Sequence, residues 1–179
     1  MDGWQDSIKK AGTAQRGGRL QVCISHLQTS LQQAKSTKSP MRAAVSLANL
    51  AALLSIMGLR DEADHCFEEL AKFPFSVGEP SALSHTILCN RAQHHHRYGL
   101  KAVARRDYLA CLEDLYSPHR YQDSRLNATL SYALFQGELG KALQADSLLK
   151  RANQALPQQP LQQAHIRTWM TIVSAEVAF

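Results

Sequence analysis

Apolar residues recur at steps of three and four along most of the chain, and that period predicts helices. Val45, Leu47, Ala48, Leu50, Ala51 and Leu54 form one such stripe, which stops at Gly58. Beyond the glycine, Ala63, Phe67 and Leu70 begin a second stripe. Two helices joined at Gly58 fit this pattern, because a helix closes most cheaply on a glycine in the left-handed conformation. Asp61 and Glu62 then fall in the first turn of the next helix, where its dipole favours acids. Ser39-Pro40 marks a helix start, and Pro80 and Pro160 repeat that punctuation. No segment alternates polar and apolar residues in the manner of a strand. The expected fold class is all-α, with about nine helices paired as antiparallel hairpins.

The helix–glycine–helix unit repeats. Gly18, Gly58, Gly99 and Gly140 are spaced 40, 41 and 41 residues apart. Seven residues before each stands an alanine: Ala11, Ala51, Ala92 and Ala133. Five after stands a small residue: Cys23, Ala63, Ala104 and Ala145. Nine after stands a large one, Leu27, Phe67, Tyr108 or Leu149, and twelve after come Ser30, Leu70, Cys111 and Ala152. Agreement of several columns over four copies is the signature of a repeat architecture. The small columns have a physical cause. Two helices that cross closely cannot accommodate a large side chain at the crossing, and the large column fills the gap to the next unit.

These residues resemble the tetratricopeptide repeat family. The run from Asn49 to Ala63 is similar to that family's first helix, turn and second-helix start. Asn90, Ala92, Gly99, Ala104, Tyr108 and Cys111 match again, as do Ala133, Gly140, Ala145, Ala152 and Pro157, the last at the place of the family's terminal proline. The first copy is degenerate, with Lys10 where a leucine is usual and Gly17-Gly18 blurring the turn. The family repeat is about 34 residues. The longer period here leaves room for about one extra helical turn in each helix, similar to the long repeats of kinesin light chains and some bacterial regulators. The resemblance implies a single domain over 1–179, a right-handed superhelix with units about 4–37, 40–76, 81–117 and 123–157, and a terminal helix over 160–178. That terminal segment carries Ile166, Trp169, Met170, Ile172, Val173 and Val177, more than one apolar stripe. One stripe would cap the fourth unit. The remainder, Trp169 included, would be a contact surface for a partner or a second copy.

Charge changes the picture only locally. The chain has 179 residues and a formal net charge of +5. From Ser7 to Arg60 there are eight Lys or Arg and no acid, and a second basic stretch runs from Arg91 to Arg106 around His94, His95 and His96. Such stretches either steer an acidic partner or are solvated helix faces. Apolar residues at 45% and charged residues at 20% exclude general disorder. No apolar run is long enough for a membrane span, and the polar first residues lack the core of a signal peptide. Cys23, Cys66, Cys89 and Cys111 lie far apart without a CxxC pair. Reduced, buried thiols in a cytoplasmic or nuclear protein are expected.

Catalytic signatures are absent: there is no GxSxG, HExxH, Walker loop or GxGxxG. Ser25-His26 is a neighbour pair with no third orienting group in sight. Cys89 with His94 to His96 makes a poor zinc site, because consecutive helical residues point about 100° apart. No enzyme activity, cofactor or metal is expected.

The resemblance implies that the first helix of each unit lines a concave groove. Four columns would form it: Val45, Ala48, Ala52 and Ser55; Thr86, Cys89, Gln93 and His96; and Asn127, Leu130, Leu134 and Gly137. Asn49 and Asn90 stand where peptide-binding members grip a ligand backbone, an amide being both donor and acceptor, and Arg97 lies beside His96. Lys9 and Ser131 depart from the family's carboxylate clamp. The expected function is a protein-interaction adaptor or scaffold, a subunit of a larger complex, holding a peptide or partner helix. Its partner-binding residues would be Asn49, Ala52, Asn90, Gln93, His96, Arg97, Asn127, Leu130, Leu134 and Trp169. The alternative is a nucleic-acid-binding helical repeat using its basic surface. The groove columns offer it few cations and few aromatics.

Overall fold

A computed structural model describes residues 2–73, 82–113 and 122–154. Eight helices and no strand occur among the described residues: α1 (Gly3–Arg16), α2 (Leu20–Ser36), α3 (Pro40–Ile56), α4 (Arg60–Ala71), α5 (Ala82–Arg97), α6 (Lys101–Glu113), α7 (Gln122–Glu138) and α8 (Ala142–Gln154). The chain forms two compact units, Met1–His94 and His95–Phe179. The first holds α1 to α4 and most of α5, the second the end of α5 and α6 to α8. The terminal helix expected over 160–178, with Trp169, lies outside the described residues, as do Pro80, Pro157 and Pro160. No described helix is long and apolar enough to cross a membrane.

All four ladder glycines are left-handed, with φ of 69° at Gly18, 80° at Gly58, 73° at Gly99 and 72° at Gly140. Each closes its helix with the same two bonds. The Gly58 N–H donates to the Ser55 carbonyl at 3.2 Å and the Leu59 N–H to the Leu54 carbonyl at 3.0 Å. Gly18 and Arg19, Gly99 and Leu100, and Gly140 and Lys141 repeat the pattern. These bonds satisfy carbonyls that a helix end otherwise leaves orphaned. The first copy, degenerate by its sequence, therefore closes like the rest, with Gly17 at φ −85° as C-cap and Gly18 taking the turn. A fifth turn of this kind joins α2 to α3, and there the left-handed residue is Lys38, at φ 51°.

The repeat columns become the core. Every member of the alanine, small, large and twelfth-position columns is buried in all four copies. In the first unit α1 packs on α2, α2 on α3 and α3 on α4; in the second α6 packs on α7 and α7 on α8. Leu27, Leu47, Leu50, Leu54, Phe67 and Leu70 are among the large residues of the first core. Each such side chain stabilises by about 1.5–3 kcal/mol on burial. In the second unit Leu126, Leu130, Ala133, Leu149 and Ala152 cluster between α7 and α8. The rings of Tyr108, Tyr132 and Phe135 gather in the same unit, with centroids 5.4 to 6.0 Å apart.

Polar contacts hold the first copy in place. Asp2 caps α1 by accepting the Gln5 N–H at 2.9 Å. That bond, with the Arg42 guanidinium 2.8 Å away, holds the Asp2 carboxyl below its ordinary range. The Trp4 indole N–H donates to Ser46 Oγ at 3.1 Å, and Ser46 and Ser30 hydroxyls meet at 2.8 Å. One chain of bonds thus ties α1, α3 and α2 together. Ser39 stands at the N-cap of α3 with Pro40 in the first turn, but its hydroxyl makes no capping bond.

Candidate functional site

Between α1 and α3, over a floor of Cys23 and Leu27 from α2, lies a cleft of about 180 Å³. Ile8, Ala11, Gly12 and Gln15 form its α1 wall, and Asn49, Ala52, Leu53 and Ile56 its α3 wall. Ile8, Gly12 and Gln15 stand ten, six and three residues before Gly18. They therefore occupy, in the first copy, the columns that the family resemblance assigns to a groove. The register was the signal for them, and the degenerate look of the first copy hid it.

The cleft is apolar within and amide-bearing at its rim. Gln15 is exposed, and Ile56 keeps 56% of its surface exposed although it is a large apolar residue. Asn49 is exposed as well; its Nδ2 donates to the Val45 carbonyl at 3.0 Å, which leaves its Oδ1 and second N–H to spare. Gly12 sits inside α1, where glycine is about 1 kcal/mol less favourable than alanine. A Cβ there would meet only Arg16 Nη1, at 3.6 Å, an ordinary contact. Packing does not require the glycine. Without a side chain there, the α1 wall of the cleft stays low.

The remaining residues expected to line a groove are not gathered in this cleft. Val45 is half-buried, while Ala48 and Ser55 are buried. On α5, Thr86, Asn90 and Gln93 are half-buried and Cys89 is buried, with the Gln93 amide donating to Cys89 Sγ at 3.7 Å. Burial pushes the Cys89 thiol up to about 12, and chiefly burial pushes Cys66 up to about 11. All four cysteines are buried and free of disulfides. In the second unit Arg97 and Asn127 are exposed, Leu134 and Gly137 are half-buried, and Leu130 is buried in the α7–α8 cluster. His96 is held by its own chain, with Nδ1 3.3 Å from the Tyr108 hydroxyl and Nε2 2.8 Å from Glu138 Oε2. Of the expected contact residues, Asn49 and Ala52 are the pair that share the α1–α3 cleft.

The three consecutive histidines fan out to three carboxylates. In the second unit His95 Nδ1 lies 3.0 Å from Asp107 Oδ2, and His96 reaches Glu138. In the first, His94 Nε2 lies 2.8 Å from Asp64 Oδ1 and its Nδ1 3.0 Å from Ser55 Oγ. A carboxylate can only accept, so Nε2–H donates to Asp64, while Nδ1 pairs with the serine hydroxyl. This is a Ser–His–Asp relay by distance, which no spacing in the sequence announced. Its exposure is reversed from that of a hydrolase. A nucleophile must meet substrate and its orienting acid is normally enclosed; here Ser55 is 2% exposed and His94 0%, while the Asp64 side chain is 38% exposed. The relay supplies one buried and one part-buried hydrogen bond, joining α3, α4 and α5 within the first unit. Among the described residues no group of three His, Cys, Asp or Glu side chains is placed to hold a metal ion.

Neither a family model, nor a curated protein, nor a solved structure matches this chain.

Proposed function

We propose that this chain is a protein-interaction module of the tetratricopeptide type, an adaptor or scaffold that holds an extended segment of another protein in the α1–α3 cleft. The observation that carries the proposal is Gly12: a glycine inside a helix, unneeded for packing, in the wall of a cleft. An extended segment would lay small apolar side chains against Ile8, Ala52 and Ile56 and pair its backbone with the amides of Asn49 and Gln15. Support for the tetratricopeptide assignment is the repeat register, carried into the core in every copy and closed by the same glycine turn. The buried thiols suit a reducing compartment such as the cytoplasm or nucleus. Catalysis forms no part of the proposed role.

A displayed library of linear peptides, selected against the whole chain, tests this. Recovered peptides should lose binding to Gly12→Leu and Ala52→Leu, both of which fill the cleft, while the circular dichroism of each variant stays helical. Peptides that bind these folded variants as well as the parent protein would refute the cleft as the site.

A further inference from the structure

On the other flank of α1 the helix faces a second depression, shared with α2, of about 270 Å³. Asp6, Lys9, Lys10 and Thr13 of α1 line it, with Arg19 and His26 at the start and along α2. These positions follow helical spacing: 6, 9, 10 and 13 on one helix, and 19 and 26 seven residues apart on the next.

Charge in this depression is unbalanced. Asp6 is the one acid in its lining, and Lys10 neutralises it at 2.7 Å. Lys9, Arg19 and His26 have no carboxylate within ion-pair distance among the described residues. A solvated helix face needs polarity, and mixed charges would supply it; a concave surface of one sign concentrates potential. The Asp6 carboxyl is held below the ordinary range, first by the hydrogen bond from Lys10 and then, against some desolvation, by the charges of Lys10, Lys9 and His26.

The lining also contains an apolar element. Val22, 42% exposed, stands among the basic residues. No aromatic side chain lines the depression. Nucleic acid would ask for stacking partners beside the cations, whereas an acidic protein segment with an apolar residue would use both the cations and Val22.

We infer that the α1–α2 depression is a second docking site, separate from the α1–α3 cleft, for an acidic segment of a partner protein, with Lys9 and Arg19 pairing its carboxylates and Val22 receiving an apolar side chain.

Fluorescence anisotropy of a labelled synthetic peptide of alternating glutamate and leucine tests the inference on the whole chain. Binding should weaken severalfold between about 50 mM and about 200 mM salt, as exposed charge pairs are screened. Lys9→Glu and Arg19→Glu should each weaken it on the order of fivefold, the size of an exposed ion pair. Lys141→Glu, an exposed charge in the second unit, and Gly12→Leu in the α1–α3 cleft should leave it unchanged. The Gly12→Leu arm separates this site from the cleft, so either can fail alone. Equal binding by the two charge-reversed variants, with helical circular dichroism retained, overturns the inference. So does a single-stranded oligonucleotide that binds more tightly than the peptide and depends on the same residues.

Discussion

Gly12 and Gly58 should respond in opposite directions to the same substitution. Gly12 lies inside α1 with no left-handed backbone, and an added Cβ would meet only Arg16 Nη1, at 3.6 Å. Alanine there gains helix propensity of about 0.8–1.0 kcal/mol without a clash, so Gly12→Ala should stabilise by about that amount. Gly58 has φ 80°, and nothing lies within 4 Å of its would-be Cβ. The cost of Gly58→Ala is therefore purely conformational, about 1–2 kcal/mol. Both residues belong to the first unit, so one unfolding transition reports both. The variants should bracket the parent and differ from each other by about 2–3 kcal/mol, read as a shift in urea midpoint at constant slope. If Gly12→Ala is destabilising, the glycine is needed for packing and the case for the cleft loses its main support. If Gly58→Ala is neutral, the turn tolerates another conformation and the glycine ladder is not what closes the helices.

Four further outcomes are expected. Lys38→Gly should stabilise by about 0.5–1 kcal/mol in the same urea assay, because it removes a side chain from a left-handed position at φ 51°. Ala51→Leu and Ala92→Leu, at fully enclosed sites, should each cost about 1–3 kcal/mol by overpacking, and exposed Leu143→Ala should be near neutral in parallel melts. His94→Ala should cost roughly 2–4 kcal/mol, by leaving the buried Ser55 hydroxyl without that partner and a cavity beside Phe67, whereas an ester substrate should be hydrolysed no faster by the parent protein than by this variant. Cys66 and Cys89 should resist alkylation in the folded chain and react in urea. Their folded values, near 11 and 12, lie above the ordinary 9.0. The folded state thus keeps protons that the unfolded chain sheds, and stability should fall as pH rises from about 9 toward 11–12.

The repeat, its four turns and its core columns were legible in the order of residues, because they depend on local physics. A left-handed turn accepts glycine most cheaply, and a close helix crossing accepts alanine, wherever the rest of the chain goes. Hence Ala51, Ala63 and Phe67 could be assigned to the interior from spacing alone, and all are buried. Lys38 shows the limit of that logic: its turn is imposed by the packing of α2 on α3, against the local preference of the residue itself. Tertiary structure decided what brings distant residues together. Nothing near Ser55 in the chain announces His94, 39 residues away, since hydrogen-bond partners are chosen by how α3, α4 and α5 pack. The same holds for Trp4 and Ser46, 42 residues apart. The cleft needed both kinds of information. Repeat register marks Ile8, Gly12 and Gln15 as equivalent to Ala48, Ala52 and Ser55, yet Ser55 is enclosed and Gln15 is open, because each column faces whatever neighbours its own copy has, and neighbours are a property of the folded chain.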